Sequence, residues 1–202
     1  VSAIMPYYTV SWERDIKNGK NVGNAYSEYL IKDLLRGTYE YDGIVCTDWG
    51  VTRDPDPEMD ALCSHCFGVE GLTEAQRHLK ALEAGVDQFG GNSDIRPILE
   101  AYRLGCEKYG EPVMRARMER SAVRLLKNIF RCGLFENPYL DPAESEAVVG
   151  CEAFAKAGYE AQLQSVVLVK NRSVLPAACG KKVYIPDRTI QPHKNFFRGM
   201  SP

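Results

Sequence analysis

The sequence predicts an α/β protein, a parallel sheet covered by helices. Three observations carry that prediction. Short apolar runs at residues 2–8, 43–46 and 86–92 are each followed, after a loop or directly, by a segment whose apolar positions recur at helical spacing. Each run gives way to residues rich in Gly, Asp, Trp or Tyr, the kind of strand-end loop in which α/β folds keep their chemistry. The composition, 45% hydrophobic with a formal net charge of -2, is that of an ordinary soluble chain of 202 residues.

The elements follow in order. "SAIMPYY" (2–8) is the first strand, and "SWERDIKNGKNVG" (11–23) is polar and Gly-containing, hence a loop. From Asn24 to Arg36, Tyr26, Tyr29, Leu30, Leu34 and Leu35 mark one face of a helix that Gly37 ends. "GIVC" (43–46) is a buried strand stopping at Thr47, Asp48, Trp49 and Gly50. A long loop (51–72) with two Asp-Pro steps comes next. Thr73 and Gln76 form a capping box for a helix that runs to about Ala84, with Gly85 as its C-cap. "VDQFGGN" (86–92) is a third strand. A helix starting near Ser93–Asp94 carries Ile95, Ile98, Leu99 and Tyr102 on one stripe. Another, over 116–131, carries Met118, Ala122, Leu125, Leu126, Ile129 and Phe130 and closes at Gly133. "GLFENPYLDP" (133–142) is a connector, and an Ala-rich helix covers about 152–163. "SVVLVKN" (165–171) and "KKVYIP" (181–186) read as two strands, too few to make a domain alone. Three βα units are also too few for a barrel, which needs about 250 residues, so the sheet is either open or part of something larger.

Charge and cysteine usage narrow the function classes. Basic residues are scattered, and the densest patch, "RARMER" (115–120), falls on a solvated helix face. Nucleic acid and acidic membrane surfaces are therefore not expected partners. No run of about 18 apolar residues occurs, so no membrane span is expected. Seven cysteines cannot all pair, which favours a reducing, cytoplasmic compartment over a secreted or periplasmic one. "CSHC" (63–66) has the spacing of half a zinc site but no second pair, so it reads as structural thiols, and His65 and His193 are assigned no role. Asp54, Asp56, Glu58 and Glu70 read as solvated loop acids. "FGGNSD" lacks the residues of a phosphate-binding loop, so nucleotide chemistry has no support.

Taken in order, "IMPYY", "LIKDLLRGTYEYDGIVCTDWG", "ALEAGVDQFGG", "GLFENPYLDP" and "SVVLVKNRSVLP" resemble family 3 glycoside hydrolases of the β-glucosidase kind, over roughly residues 1–186. The resemblance implies a partial (β/α)8 barrel, about its last three βα units (1–132), then a linker and helix (133–163). The first strands of an α/β sandwich follow (164–202). It makes Asp48, from the family's Ser/Thr-Asp-Trp motif, the catalytic nucleophile, and Trp49 the aromatic platform at the aglycone side. Tyr8 matches the Tyr of a Met-x-Ser-Tyr segment lining the sugar subsite, although Tyr7 stands where many members have Ser. The acid/base has no counterpart here, nor do the Lys-His and Arg sugar-binding motifs. No metal or organic cofactor is implied. The expected substrate is a β-linked glucoside or related sugar, with β-xylosidase and N-acetylglucosaminidase activities as relatives within the family. Retaining hydrolysis needs an ionised carboxylate at the anomeric carbon and a second carboxyl about 5–5.5 Å away, and a packed strand end holds the first one rigidly. Outside that pattern Asp48 would read as a loop or N-cap acid and Trp49 as packing. The rival expectation is a catalytically incompetent portion or a sugar-binding remnant that self-associates or needs the rest of a barrel, because a partial barrel exposes sheet edges.

Overall fold

A computed structural model describes residues 1–15, 21–54 and 66–184. It separates into two compact units, 1–136 and 137–202, taken here one at a time.

The first unit is built on a short parallel sheet. Strand β1 (Ala3–Ile4) pairs in parallel with β2 (Ile44–Val45), in the register Ala3↔Ile44 and Ile4↔Val45. On its other side Cys46 makes a parallel bridge to Gln88. Hence β2 is flanked on both sides, its Cys46 N–H donating to Ile4 O (3.0 Å) and its Val45 carbonyl accepting from Asp87 N (2.8 Å). The expected strands at 2–8 and 86–92 are thus two residues and a single bridge. Pro6, which has no N–H, cannot extend the first ladder, and the third run turns away at Gly90–Gly91.

The expected helix at 24–36 is a 3-10 turn (Asn24–Tyr26) followed by a π-helix (Tyr29–Thr38). Apolar spacing reports which face is buried, not whether the ring closes four or five residues back, so the sequence pattern could not separate the two. Helix α1 (Glu74–Ala84) starts at the predicted capping box, with Thr73 accepting from Gln76 N and the Gln76 side chain accepting from Thr73 N. It stops at Gly85, whose φ of 114° suits only a residue without Cβ. Helices α2 (Arg96–Tyr109) and α3 (Glu111–Arg131) complete this unit, α3 beginning a turn earlier than its apolar stripe.

Two apolar clusters hold these pieces. One joins Tyr26, Ile31, Val45, Ala81, Ala84 and Val86 under the sheet. The other joins Leu79 and Leu82 of α1 to Ala101 and Met114 of the next two helices. Each large apolar side chain buried here contributes about 1.5–3 kcal/mol. The fold is also pinned by one acid. The Asp87 side chain is fully buried and accepts from Val45 N (3.0 Å), Arg36 Nη2 (2.5 Å), Ser121 Oγ (2.6 Å) and Arg124 Nη1 (3.1 Å). Burial pulls the nearby Arg117 guanidinium down to about 10, against the opposing pull of Asp87.

The second unit contains α4 (Pro142–Val148), capped by Asp141, and α5 (Glu152–Ser165). The expected strand at 165–171 is not formed, nor is the described part, 181–184, of the one expected at 181–186. None of the unit's described residues is buried. A β-rich run needs a partner strand to close its ladder. No described helix is long and apolar enough to cross a membrane.

Candidate functional site

The site grows from the C-terminal end of β2. Alternation along an extended chain puts Ile44, Cys46 and Asp48 on one face and Val45 and Thr47 on the other. Val45 and Thr47 are fully buried, Val45 against Ala81 and Ala84 of α1. Asp48 is half-buried, and its Oδ1 accepts the N–H of Trp49 at 2.7 Å. Burial, and then the Asp48 charge, push the Cys46 thiol above its ordinary value, so the thiol stays protonated below the acid.

Trp49 is 47% exposed and lies against the Gly90–Gly91 backbone. A Cβ on either glycine would collide with the indole, and Gly91 also sits at a φ of 67°. The paired glycines therefore let the indole rest on bare backbone while nearly half of the residue stays exposed. Tyr8, at the end of the first apolar run, donates its hydroxyl to the Trp49 carbonyl (3.1 Å). All three residues named from the sequence thus lie at one end of the sheet.

Neighbours that sequence reasoning did not single out fix this end. Thr47 Oγ1 accepts from Gly90 N (2.9 Å), and Gly50 N donates to Gly90 O (3.3 Å). The segment after Trp49 is fastened at each residue. Tyr26, whose hydroxyl burial holds in its protonated form, donates to Val51 O (2.7 Å). The buried Arg77 donates to Thr52 O (3.1 Å) and to Asp54 Oδ1 (2.6 Å). Arg53 Nη2 donates to Gly91 O (2.9 Å). The only signal for this scaffold in the sequence was the glycine pair, since a Thr before an acid or a Tyr on a helix announces nothing by itself.

The loop acids divide. Asp54 is exposed but paired with Arg77, so it is not simply solvated. Glu70 accepts the Gly68 N–H (2.9 Å). Asp56, Glu58, His65 and His193 lie outside the described residues, as does most of the "CSHC" segment. Its last member, Cys66, is buried in the core. Among the described residues no cluster of His, Cys, Asp and Glu is arranged to hold a metal ion.

No family model matches the chain. A periplasmic β-glucosidase/β-xylosidase of Dickeya chrysanthemi is 32% identical, over 98% of this chain and 36% of its own length. β-Glucosidase C of Emericella nidulans is 37% identical, over 87% of this chain and 27% of its own length. The chain therefore spans about a third of the curated relatives it matches. Among solved structures, a β-glucoside phosphorylase bound to 2FGlc superposes with a TM-score of 0.64 at 15% identity, over 88% of this chain and 31% of that one. A β-glucosidase from Listeria innocua in complex with glucose gives a TM-score of 0.54 at 25% identity, over 78% and 20%. The chain belongs to the β-glucosidase-like glycoside hydrolases of family 3.

Proposed function

We propose that this chain carries the nucleophile side of a retaining β-glucosidase-type site. Asp48 attacks the anomeric carbon of a β-linked glucoside or related sugar. The glycosidic bond breaks, a glycosyl-aspartyl ester forms, and water then attacks the same carbon from the vacated face to release the sugar with net retention. Trp49 is the shelf against which the C–H face of a sugar ring or aglycone packs. Tyr8 lines the neighbouring subsite and holds the shelf through the Trp49 carbonyl. In this reading residues 1–132 are the closing βα units of a (β/α)8 barrel, 133–163 a linker and helix, and 164–202 the opening of an α/β sandwich. The acid/base comes from elsewhere.

The observation that carries the reading is the position of Asp48, half-buried at the C-terminal end of a strand flanked on both sides, beside a half-exposed indole. A strand flanked on both sides fixes the carboxylate, and the C-terminal end is where such folds place chemistry. β-Xylosidase action is the related alternative, since the Dickeya relative carries both names. N-acetylglucosaminidase action ranks lower, because residues 164–202 resemble the sandwich opening that many such enzymes lack.

The test is covalent trapping with an aryl 2-deoxy-2-fluoro-β-glucoside, read by mass spectrometry of the intact chain and its peptides. A single added sugar on the peptide holding Asp48, absent in Asp48→Asn, is the expected result. Labelling that persists in Asp48→Asn overturns the assignment. A second reading, that the chain alone is incompetent and pairs with a second copy or with further barrel units, is favoured by its spanning about a third of its relatives. It predicts no labelling of the chain by itself and labelling of Asp48 when further barrel units are supplied.

A further inference from the structure

We propose that His78, Thr52 and Asn92 form a latch that positions the Trp49 shelf, with His78 held as the neutral Nδ1–H tautomer. The inference rests on the reading of Trp49 as the sugar shelf, and it names residues that the reading itself does not use. His78 lies on α1, buried to 1% exposure, with the Phe89 ring centroid 4.4 Å from its own. Its Nδ1 is 2.8 Å from the Glu74 carbonyl oxygen. A carbonyl offers only lone pairs, so Nδ1 carries the proton. Burial disfavours a second proton, outweighing the nearby Glu74 carbonyl and carboxylate, and lowers the group below its ordinary value. Nε2 therefore presents a bare lone pair.

That lone pair fixes everything above it. Asn92 Nδ2 lies 3.2 Å from Nε2 and 2.8 Å from Thr52 Oγ1. One amide proton goes to each. The Thr52 hydroxyl, accepting from Asn92, lies 3.4 Å from Nε2 and can be only a long secondary donor to the lone pair that Asn92 engages. The reverse amide orientation would set an oxygen against the Nε2 lone pair. The observed one leaves Asn92 Oδ1 buried without a partner among the described residues. Thr52 comes three residues after Trp49, and Asn92 directly follows the glycine pair on which the indole rests. The latch thus ties the loop that carries the shelf to the loop that supports it, with α1 as the fixed base. The charged groups about it are Glu74 on its own helix and the Arg77–Asp54 pair on the loop side. Phe89, Thr52 and Asn92 complete the enclosure.

A double variant, Trp12→Phe with Asp48→Asn, leaves Trp49 as the sole tryptophan and removes the neighbouring carboxylate. Its acrylamide quenching needs no sugar turnover, so failure here is separable from failure of the trapping experiment. In this background, Thr52→Val and Asn92→Ala are each expected to raise the quenching constant at neutral pH by about half again or more, as the loop opens locally. Acidification should raise it in the parent through protonation of His78 and leave the Asn92→Ala curve flat. Unchanged quenching in both folded variants overturns the latch. Should neither variant fold, ¹⁵N NMR of the wild-type imidazole decides. A bare Nε2 and protonated Nδ1 at pH 7 are expected, and an Nε2–H tautomer or an imidazolium overturns the proposal.

Discussion

Two aspartates flank β2 and are treated in opposite ways. Asp87 is sunk beside Val45, its carboxylate surrounded by a backbone N–H, a hydroxyl and the guanidinium groups of Arg36 and Arg124. Asp48 stands at the strand's far end, half-buried, with the Trp49 N–H on one oxygen. The same side chain serves as a rivet in one place and is left accessible in the other, where the proposed function has it react. What separates them is the number of donors aimed at each and the access of water to each. In (β/α)8 barrel enzymes the reacting residues sit at the C-terminal ends of the strands, while the opposite face serves stability.

The sharpest way to break this contrast is to remove the rivet. Asp87→Ala should cost about 3–5 kcal/mol in urea unfolding, because it strands buried arginines without their counter-charge. A loss no greater than that of an exposed substitution would mean that the cluster does not anchor the sheet. Gly91→Ala tests the other end. A Cβ there meets the indole and forces an L-residue to positive φ, so about 1–3 kcal/mol should be lost, along with the blue-shifted part of the Trp49 emission. The pH dependence of stability sharpens the comparison between the rivet and the loops. Burial puts folded His78 below its ordinary 6.5. As pH falls through 6.5 the unfolded chain takes up a proton that the folded chain does not, so stability drops on the acid side and is fully present above it. Urea midpoints measured on either side of 6.5 should differ in wild type and converge in His78→Gln. Asp48→Asn gives the smallest effect. It should stay within about 0.5 kcal/mol of wild type while losing covalent labelling, since it removes a reactive group that holds little together.

Local signals in the sequence were read where the chemistry is local. The capping box at Thr73 and Gln76 and the stop at Gly85 depend on a few neighbouring residues, and both are present as expected. The strand that leads to Asp48 was marked by its apolar run, and Asp48 itself by the family motif. What was not legible depends on partners distant in sequence. Three strands were expected where the sheet has two short ones and a bridge, because ladder length is set by the neighbours and not by the run itself. The valines of 165–171 carried every local mark of a strand and are not paired. The π-helix escaped because apolar spacing does not report ring closure, and the residue it buries is Ile31, off the expected stripe, with Leu35 packed against the same cluster. In the site, Asp48 and Trp49 were nameable, whereas His78, Thr52 and Asn92 meet across 40 positions and leave no mark that a single chain can show.

One consequence follows from how α1 hands over to the sheet. Gly85 ends the helix in the left-handed region, its carbonyl is taken by Arg36, and only Val86 stands between it and Asp87. An extended chain reverses its facing with every added residue. A single insertion between 85 and 87 would therefore swing the acid to the opposite side of the sheet and offer the arginines a hydrophobic side chain instead. Evolution can lengthen many loops in such a molecule, but this junction has no slack.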